Sequence, residues 1–427
     1  KYDECIQQAV KVKELNADDP TGKFYILASY CEPVAYFQLK KYKEAVPLFE
    51  EFIKKYPDNG SYTQQSLFYL ASSLTSLGRW KEAIEADSAY IEKYPDFKDN
   101  PFIGNMLYDR AFNNLQLQTK ENDALALKDC KTIIDNLPES KVYPLALLLM
   151  GNIYSSEPSK MDEANEFYVK SYEAAKKIGN KRCMSEAVYN LVANYAGDGS
   201  HHNEELAKKY YDIFWADCDA EKNPFALQTA VAGMGLYKDG KKPEAFEAAR
   251  KKLADIIVRE GQLDSKNLKV EQAVGSYTKF YLDAHKAMGK ELTLDQVKEH
   301  FYNFPGVSKD DISLKTILRT AVIGVYQDEL AQLKPEESEK KAILEGIISA
   351  FFKELKNDYK PSDLTPYILL KLGTYIGQTD QPLEALAYYD EILKRNKGYK
   401  KEANFGKAIA MGRSSDKGKI DEAVKLM

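Results

Sequence analysis

A helix-turn-helix signature repeated at near-constant spacing constrains this chain more than any other feature, because fixed-period self-similarity commits a fold to a stack of like units. The clearest copy is Leu77-Gly78-Arg79-Trp80-Lys81-Glu82-Ala83-Ile84, followed by Tyr94-Pro95. It reads as a helix stopped at Gly78, a tight turn, and a second helix that runs from Trp80 until Pro95 ends it. Ala83 falls where two antiparallel helices come closest, and only a methyl group fits there without pushing the backbones apart. Tyr42-Lys43-Glu44-Ala45 with Tyr56-Pro57 precedes this copy by 38 residues (83 − 45), and Asp123-Ala124 with Leu137-Pro138 follows it by 41 (124 − 83). Asp162-Glu163-Ala164, Leu206-Ala207, Glu244-Ala245, Glu384-Ala385 and Glu422-Ala423 continue the series.

A compact chain of 427 residues normally divides into two or three domains, whereas a repeat array escapes that limit by growing along one axis. The longest apolar run, Leu145 to Gly151, is far shorter than the roughly 20 residues a bilayer demands, so no transmembrane segment is expected. The formal charge of −5 and the scarcity of Arg argue against a nucleic-acid backbone as partner, since that binding relies on clustered positive charge. Cys5, Cys31, Cys130, Cys183 and Cys218 show no paired spacing and read as small buried residues at helix contacts, which leaves the compartment open.

Helical periodicity divides the chain into hairpins at about 23–55, 62–93, 102–136, 142–177, 182–217 and 224–259. Ala45, Leu48, Phe49, Phe52 and Ile53 form one inner face, and Leu67, Leu70, Ala71, Leu74, Ala83, Ala86, Tyr90 and Ile91 form the next. From about 262 to 361 the signature fades, because Ala245 and Ala385 lie 140 residues apart (385 − 245), which is no clean multiple of the repeat. Helices are still expected at about 268–288, 293–303, 312–333 and 337–356, within a longer hairpin or an irregular insertion. The expected organisation is a repeat array over 1–260, divergent helical hairpins over 261–361, and returning repeats over 362–427. Cys5 stands where later units have Ala, and Glu422-Ala423 opens a last second helix. The chain is therefore expected to start and stop within a hairpin, as a segment of a longer protein.

The residues Leu67, Leu70-Ala71, Leu74, Ala83, Tyr90 and Pro95, and again Leu369, Leu372-Gly373, Ile376, Ala385 and Tyr389, resemble the tetratricopeptide repeat family. That resemblance implies an all-α fold, a right-handed superhelix of stacked antiparallel helix hairpins. HEAT repeats fit the spacing better than the family's usual length of about 34 residues, but the Gly-aromatic-Lys-Glu-Ala turn and the closing Tyr-Pro mark the tetratricopeptide type. The Tyr-Pro endings and the Leu-Gly turn look most like variants in bacterial cell-envelope proteins, which favours a periplasmic or envelope location over the cytoplasm.

In this family the first helices line a concave surface that binds a protein or extended peptide. Alignment of the units puts Gln65, Phe68, Tyr69, Ser72, Arg110, Asn113, Asn152, Asn190, Tyr367, Lys371 and Thr374 on that surface. Asn amides suit both groups of a peptide backbone, and aromatic rings hold apolar side chains. The same positions also suit exposed helix faces with no ligand. Arg110, Asn113 and Asn152 supply a fragment of the family's carboxylate clamp. The 30 tyrosines read mostly as packing, with the remainder available as contact surface. His201-His202, beside Asp198, Glu204 and Glu205, reads as a solvated loop rather than a metal site, while His285 and His300 read as lone surface or core residues. No catalytic motif is present, so no enzyme activity, metal or cofactor is expected. The expected function is a protein-binding scaffold or adaptor, with a cell-envelope assembly or secretion factor as the nearest alternative and an all-helical enzyme with a site in 262–361 as the distant one.

Overall fold

Helices stop here where the backbone enters the left-handed region. At Gly78 (φ 70°) the Arg79 N–H donates to the Leu74 carbonyl at 3.0 Å and the Gly78 N–H to that of Thr75, which satisfies the last carbonyls of the helix. Lys40 (φ 58°) and Gln118 (φ 54°) make the corresponding turns in the neighbouring hairpins. The structure is a computed structural model that describes residues 1–97, 100–218, 222–263, 268–395, 398–414 and 416–426.

Among the described residues every regular element is helical, in two compact units, 1–194 and 195–427. The first unit opens with α1 (Tyr2–Leu15) and pairs α2 (Lys23–Gln38) with α3 (Tyr42–Lys55) and α4 (Gly60–Ser76) with α5 (Trp80–Lys93). It goes on to pair α6 (Ile103–Gln116) with α7 (Lys120–Asn136) and α8 (Tyr143–Ser155) with α9 (Met161–Ile178), and α10 (Lys181–Ala196) follows. In the second unit α11 (Glu204–Ile213) runs into a π-helical turn, Phe214–Cys218, and α12 (Ala226–Gly235) pairs with α13 (Pro243–Leu263). The hairpins α14 (Leu268–Ala287) with α15 (Leu294–Tyr302) and α16 (Ile312–Ala331) with α17 (Ser338–Asp358) fill the region where the signature fades. Last come α18 (Pro366–Ile376) with α19 (Leu386–Arg395), and α20 (Lys400–Gly412) with α21 (Lys417–Leu426). The expected all-α fold of antiparallel hairpins is therefore present, and the region from 262 to 361 is two hairpins rather than an irregular insertion.

One position per second helix is buried throughout: Ala45, Ala83, Ala126, Ala164, Ala207, Phe246, Val297, Leu344, Ala385 and Ala423 are all at most 4% exposed. Steps between them run from 38 residues (83 − 45) to 51 (297 − 246), so a buried position recurs in each second helix even where the alanine is replaced and the spacing lengthens. Two expectations are corrected. Ala124 is exposed and Ala126 holds the close-packed position, because Thr119 caps α7 through the Asn122 N–H and starts the helix about one turn earlier than its neighbours. Ala245 is half-buried beside Phe246, which takes the core position of α13.

Four residues beyond this position a large ring often presses on a glycine. A Cβ on Gly151 would lie 2.6 Å from the Tyr168 ring, and one on Gly233 would lie 2.1 Å from that of Tyr211. Tyr389 is pressed from two sides, by Gly373 of its own hairpin and Gly406 of the next. First helices also touch one another directly, α2 to α4, α4 to α6 and α6 to α8 in the first unit, α12 to α14 and α14 to α16 in the second. Successive second helices make no comparable contact among the described residues, so within each unit the first helices lie on the inner side of the curve.

The second unit also buries a polar ring stack. Arg250 donates to the Tyr277 hydroxyl at 2.7 Å, that hydroxyl lies 2.9 Å from His300 Nε2, and the Tyr281 ring stacks on His300 at 4.0 Å. His300 is thus half-buried against these rings, between the surface and core readings of the sequence. Burial and the Arg250 charge bring its pKa down to about 4.

Two predictions follow from this packing. Ala83→Leu should overpack its hairpin and cost roughly 1–3 kcal/mol in urea unfolding, whereas Ala124→Leu, on the exposed face, should cost less than about 0.5 kcal/mol. Equal losses would overturn the register. His300 stays neutral when folded but takes a proton at about 6.5 when unfolded, so its contribution is complete above pH 6.5 and lost as the pH falls towards 4. Melting curves over that range should show a loss of about 2–3 kcal/mol that His300→Gln flattens.

Candidate partner-binding site

The inner face of the first unit is built by α4, α6, α8 and α10. On α4, Gln65 accepts a hydrogen bond from the Tyr30 hydroxyl. Phe68 packs on Phe102 at 4.8 Å and Tyr69 on Phe37 at 4.8 Å. These aromatic side chains are half-buried, each giving one face to the neighbouring hairpin. Ser72 bonds the Asp109 carboxyl of α6, whose pKa is raised to about 6 because burial outweighs that bond. Further along, Asn152 Oδ1 accepts from Tyr168 Oη at 2.9 Å and from Asn190 Nδ2 at 3.1 Å. Glu186 also bonds Asn152, and burial raises its pKa as well.

Arg110 and Asn113 are engaged elsewhere. Arg110 makes a two-pronged ion pair with Asp129 of α7, at 2.7 and 2.8 Å, and reaches Ser88 of α5. Both partners lie on second helices. Asn113 is fully buried, and its amide donates to Thr75 Oγ1 and to Asp87. Asp87 is itself held well above the usual carboxylate range, first by burial and then by Asp109. Arg110, Asn113 and Asn152 thus point to three separate sets of partners and do not converge as a clamp.

In the second unit a cavity of about 300 Å³ opens between α14, α16 and α18. Its floor is made of small residues, Gly275, Ser276, Ala321 and Gly324, and its charged lining is Glu271, Asp328 and Lys279. Tyr367 closes one side, with the Lys371 ammonium 5.7 Å from its ring centre. Burial raises the Glu271 pKa. The Tyr367 hydroxyl is raised as well, by burial first and then by the Glu271 and Asp328 charges, which places both carboxylates within electrostatic reach of it. Thr374, two turns along α18, is exposed and donates to the Leu370 carbonyl. Among the described residues no three His, Cys, Asp or Glu side chains are grouped to hold a metal.

Residues 34–96, which span α3 to α5, match the tetratricopeptide repeat family. Solved structures similar to the chain include yeast Tom70, at 16% identity and a TM-score of 0.28 over 94% of this chain and 83% of that one. Another is a chain of the Naa15/Naa10 complex bound to HypK-THB, at 14% identity and a TM-score of 0.29, over 94% of this chain and 63% of that one. No curated protein matches the sequence.

Tyr367 is the one cavity residue in the sequence-derived set. Spacings of three and four in Gly275-Ser276-Lys279 and Ala321-Gly324-Asp328 were the available signal, since they put small and charged residues on one helical stripe. Asp109 was also missed, although it directly precedes Arg110. Its raised pKa makes a testable statement about the repeat face. A carboxyl that titrates near 6 folded and near 3.8 unfolded contributes fully below pH 3.8, and that contribution is lost as the pH rises through 6. Asp109→Asn should therefore raise stability at pH 7 to 8 by roughly 1–3 kcal/mol, with no gain at pH 4, measured by urea unfolding at both ends.

Proposed function

We propose that this chain is a non-catalytic scaffold that binds an extended segment of a partner protein along the inner faces of its repeats. The observation that carries the reading is the direct contact between successive first helices, which sets polar side chains from separate hairpins side by side. Asn152 of α8 and Asn190 of α10 form such a pair, and Ser72 of α4 with Asp109 of α6 forms another. A row of this kind suits the alternating donors and acceptors of an extended backbone. The enzyme alternative gains no support from the cavity, where among the described residues no hydrogen bond joins Glu271, Asp328 and Lys279. Within the scaffold reading, a role in cell-envelope assembly or secretion rests on the Leu-Gly turn and the Tyr-Pro endings alone.

Selection from a displayed library of unstructured peptides, followed by hydrogen exchange with the retained sequences, tests the proposal. Protection is expected in α4, α6, α8 and α10, with α5, α7 and α9 unchanged. Protection confined to the second helices, or no retained peptide, would overturn it.

A further inference from the structure

The cavity between α14, α16 and α18 has features that its own hairpins do not require. Gly275 and Gly324 lie inside long helices, where glycine is less stable than alanine because it loses more backbone freedom on folding. An added Cβ at either would meet nothing within 4 Å. Neither glycine makes room for a neighbouring side chain, in contrast to Gly151 and Gly233. The space above them is open.

Charge is the second feature. Several half-buried carboxylates of this unit are matched by cations, as in Glu247 with Arg250 and Glu354 with Lys298. Glu271 and Asp328 have no ion pair among the described residues. Glu271 is half-buried, so its charge is partly stripped of water without the compensation that a cation gives. Lys279 at the rim is exposed and leaves the lining with one net negative charge. A long apolar stem ending in a cation matches this arrangement, because such a side chain lays its methylenes on apolar surface and keeps its head in a polar setting.

We infer that this cavity receives a lysine or arginine side chain of the bound partner segment, its stem over Gly275, Ala321 and Gly324 and its charged head with Glu271 and Asp328. The inference rests on the scaffold reading above for the extended form of the ligand, and adds the chemistry that selects it. An acidic or neutral segment leaves the two carboxylates uncompensated and binds less well.

Fluorescence anisotropy with labelled peptides of about 12 residues tests this, one alternating Lys with Ala, one with Gln and one with Glu in place of Lys. The Lys peptide should bind, more weakly as salt rises, and the other two should not. Glu271→Gln and Asp328→Asn should each weaken it about three- to tenfold. Gly324→Leu should abolish binding while melting no lower than the parent, since it fills open space in a helix. Glu121→Gln, on the exposed face of α7, should change nothing. Absent binding of the Lys peptide, equal binding of the Gln peptide, or indifference to the three cavity substitutions would overturn the inference. Protection of α4 to α10 by library peptides in these same variants reports on the scaffold reading separately, so that failure of the cavity inference is distinguished from failure of the scaffold reading.

Discussion

Everything in this fold depends on how closely two helices of a hairpin can approach. A small side chain at the crossing of the second helix lets the backbones close, and the apolar residues four and seven positions on are then buried against neighbouring helices. Phe49 and Phe52 follow Ala45 in this way, Cys130 and Ile133 follow Ala126, and Tyr389 and Ile392 follow Ala385, all nearly inaccessible to water. No hairpin covers both of its own sides, so burial is completed by the next unit. In α13, α15 and α17 the crossing is filled by Phe246, Val297 and Leu344. Two of the helices they pair with or follow are long, α14 and α16, and repeat steps lengthen to 51 (297 − 246) and 47 (344 − 297) residues.

That substitution explains which parts of the fold could be read in advance. The hairpins at 42–93 announced themselves through Ala45 and Ala83, whose turns and Tyr-Pro endings repeat almost residue for residue. Pattern matching on alanine failed where two alanines compete, as at Ala124 and Ala126, because the deciding fact was the position of the Thr119 cap. It failed again at Ala245, one residue from a core phenylalanine. Between 262 and 361 the helices were legible from periodicity, but their register was not, because a motif defined by a small residue is invisible when a large one does its job.

The candidate site was harder to read for a related reason. A first-helix position facing the inner side differs from one facing the partner helix by only one residue, about 100° of rotation. Asp109 and Arg110 show the consequence: the carboxylate reaches Ser72 across the inner face, and the guanidinium beside it turns to Asp129. Asn190 of α10 donates to Asn152 of α8, and Tyr367 borders the cavity of the second unit. What no sequence pattern gives is whether an inner-face polar group already has a partner, and that distinction separates Asn113, committed to Asp87 and Thr75, from Glu271.

The ring of Tyr389 fits into two hollows at once, those left by Gly373 and Gly406. It belongs to one hairpin and serves as keystone for two, so α18 to α21 cannot fray one hairpin at a time without leaving that ring half unsupported. These two hairpins therefore loosen as one, and the smallest cooperative block among them is the pair.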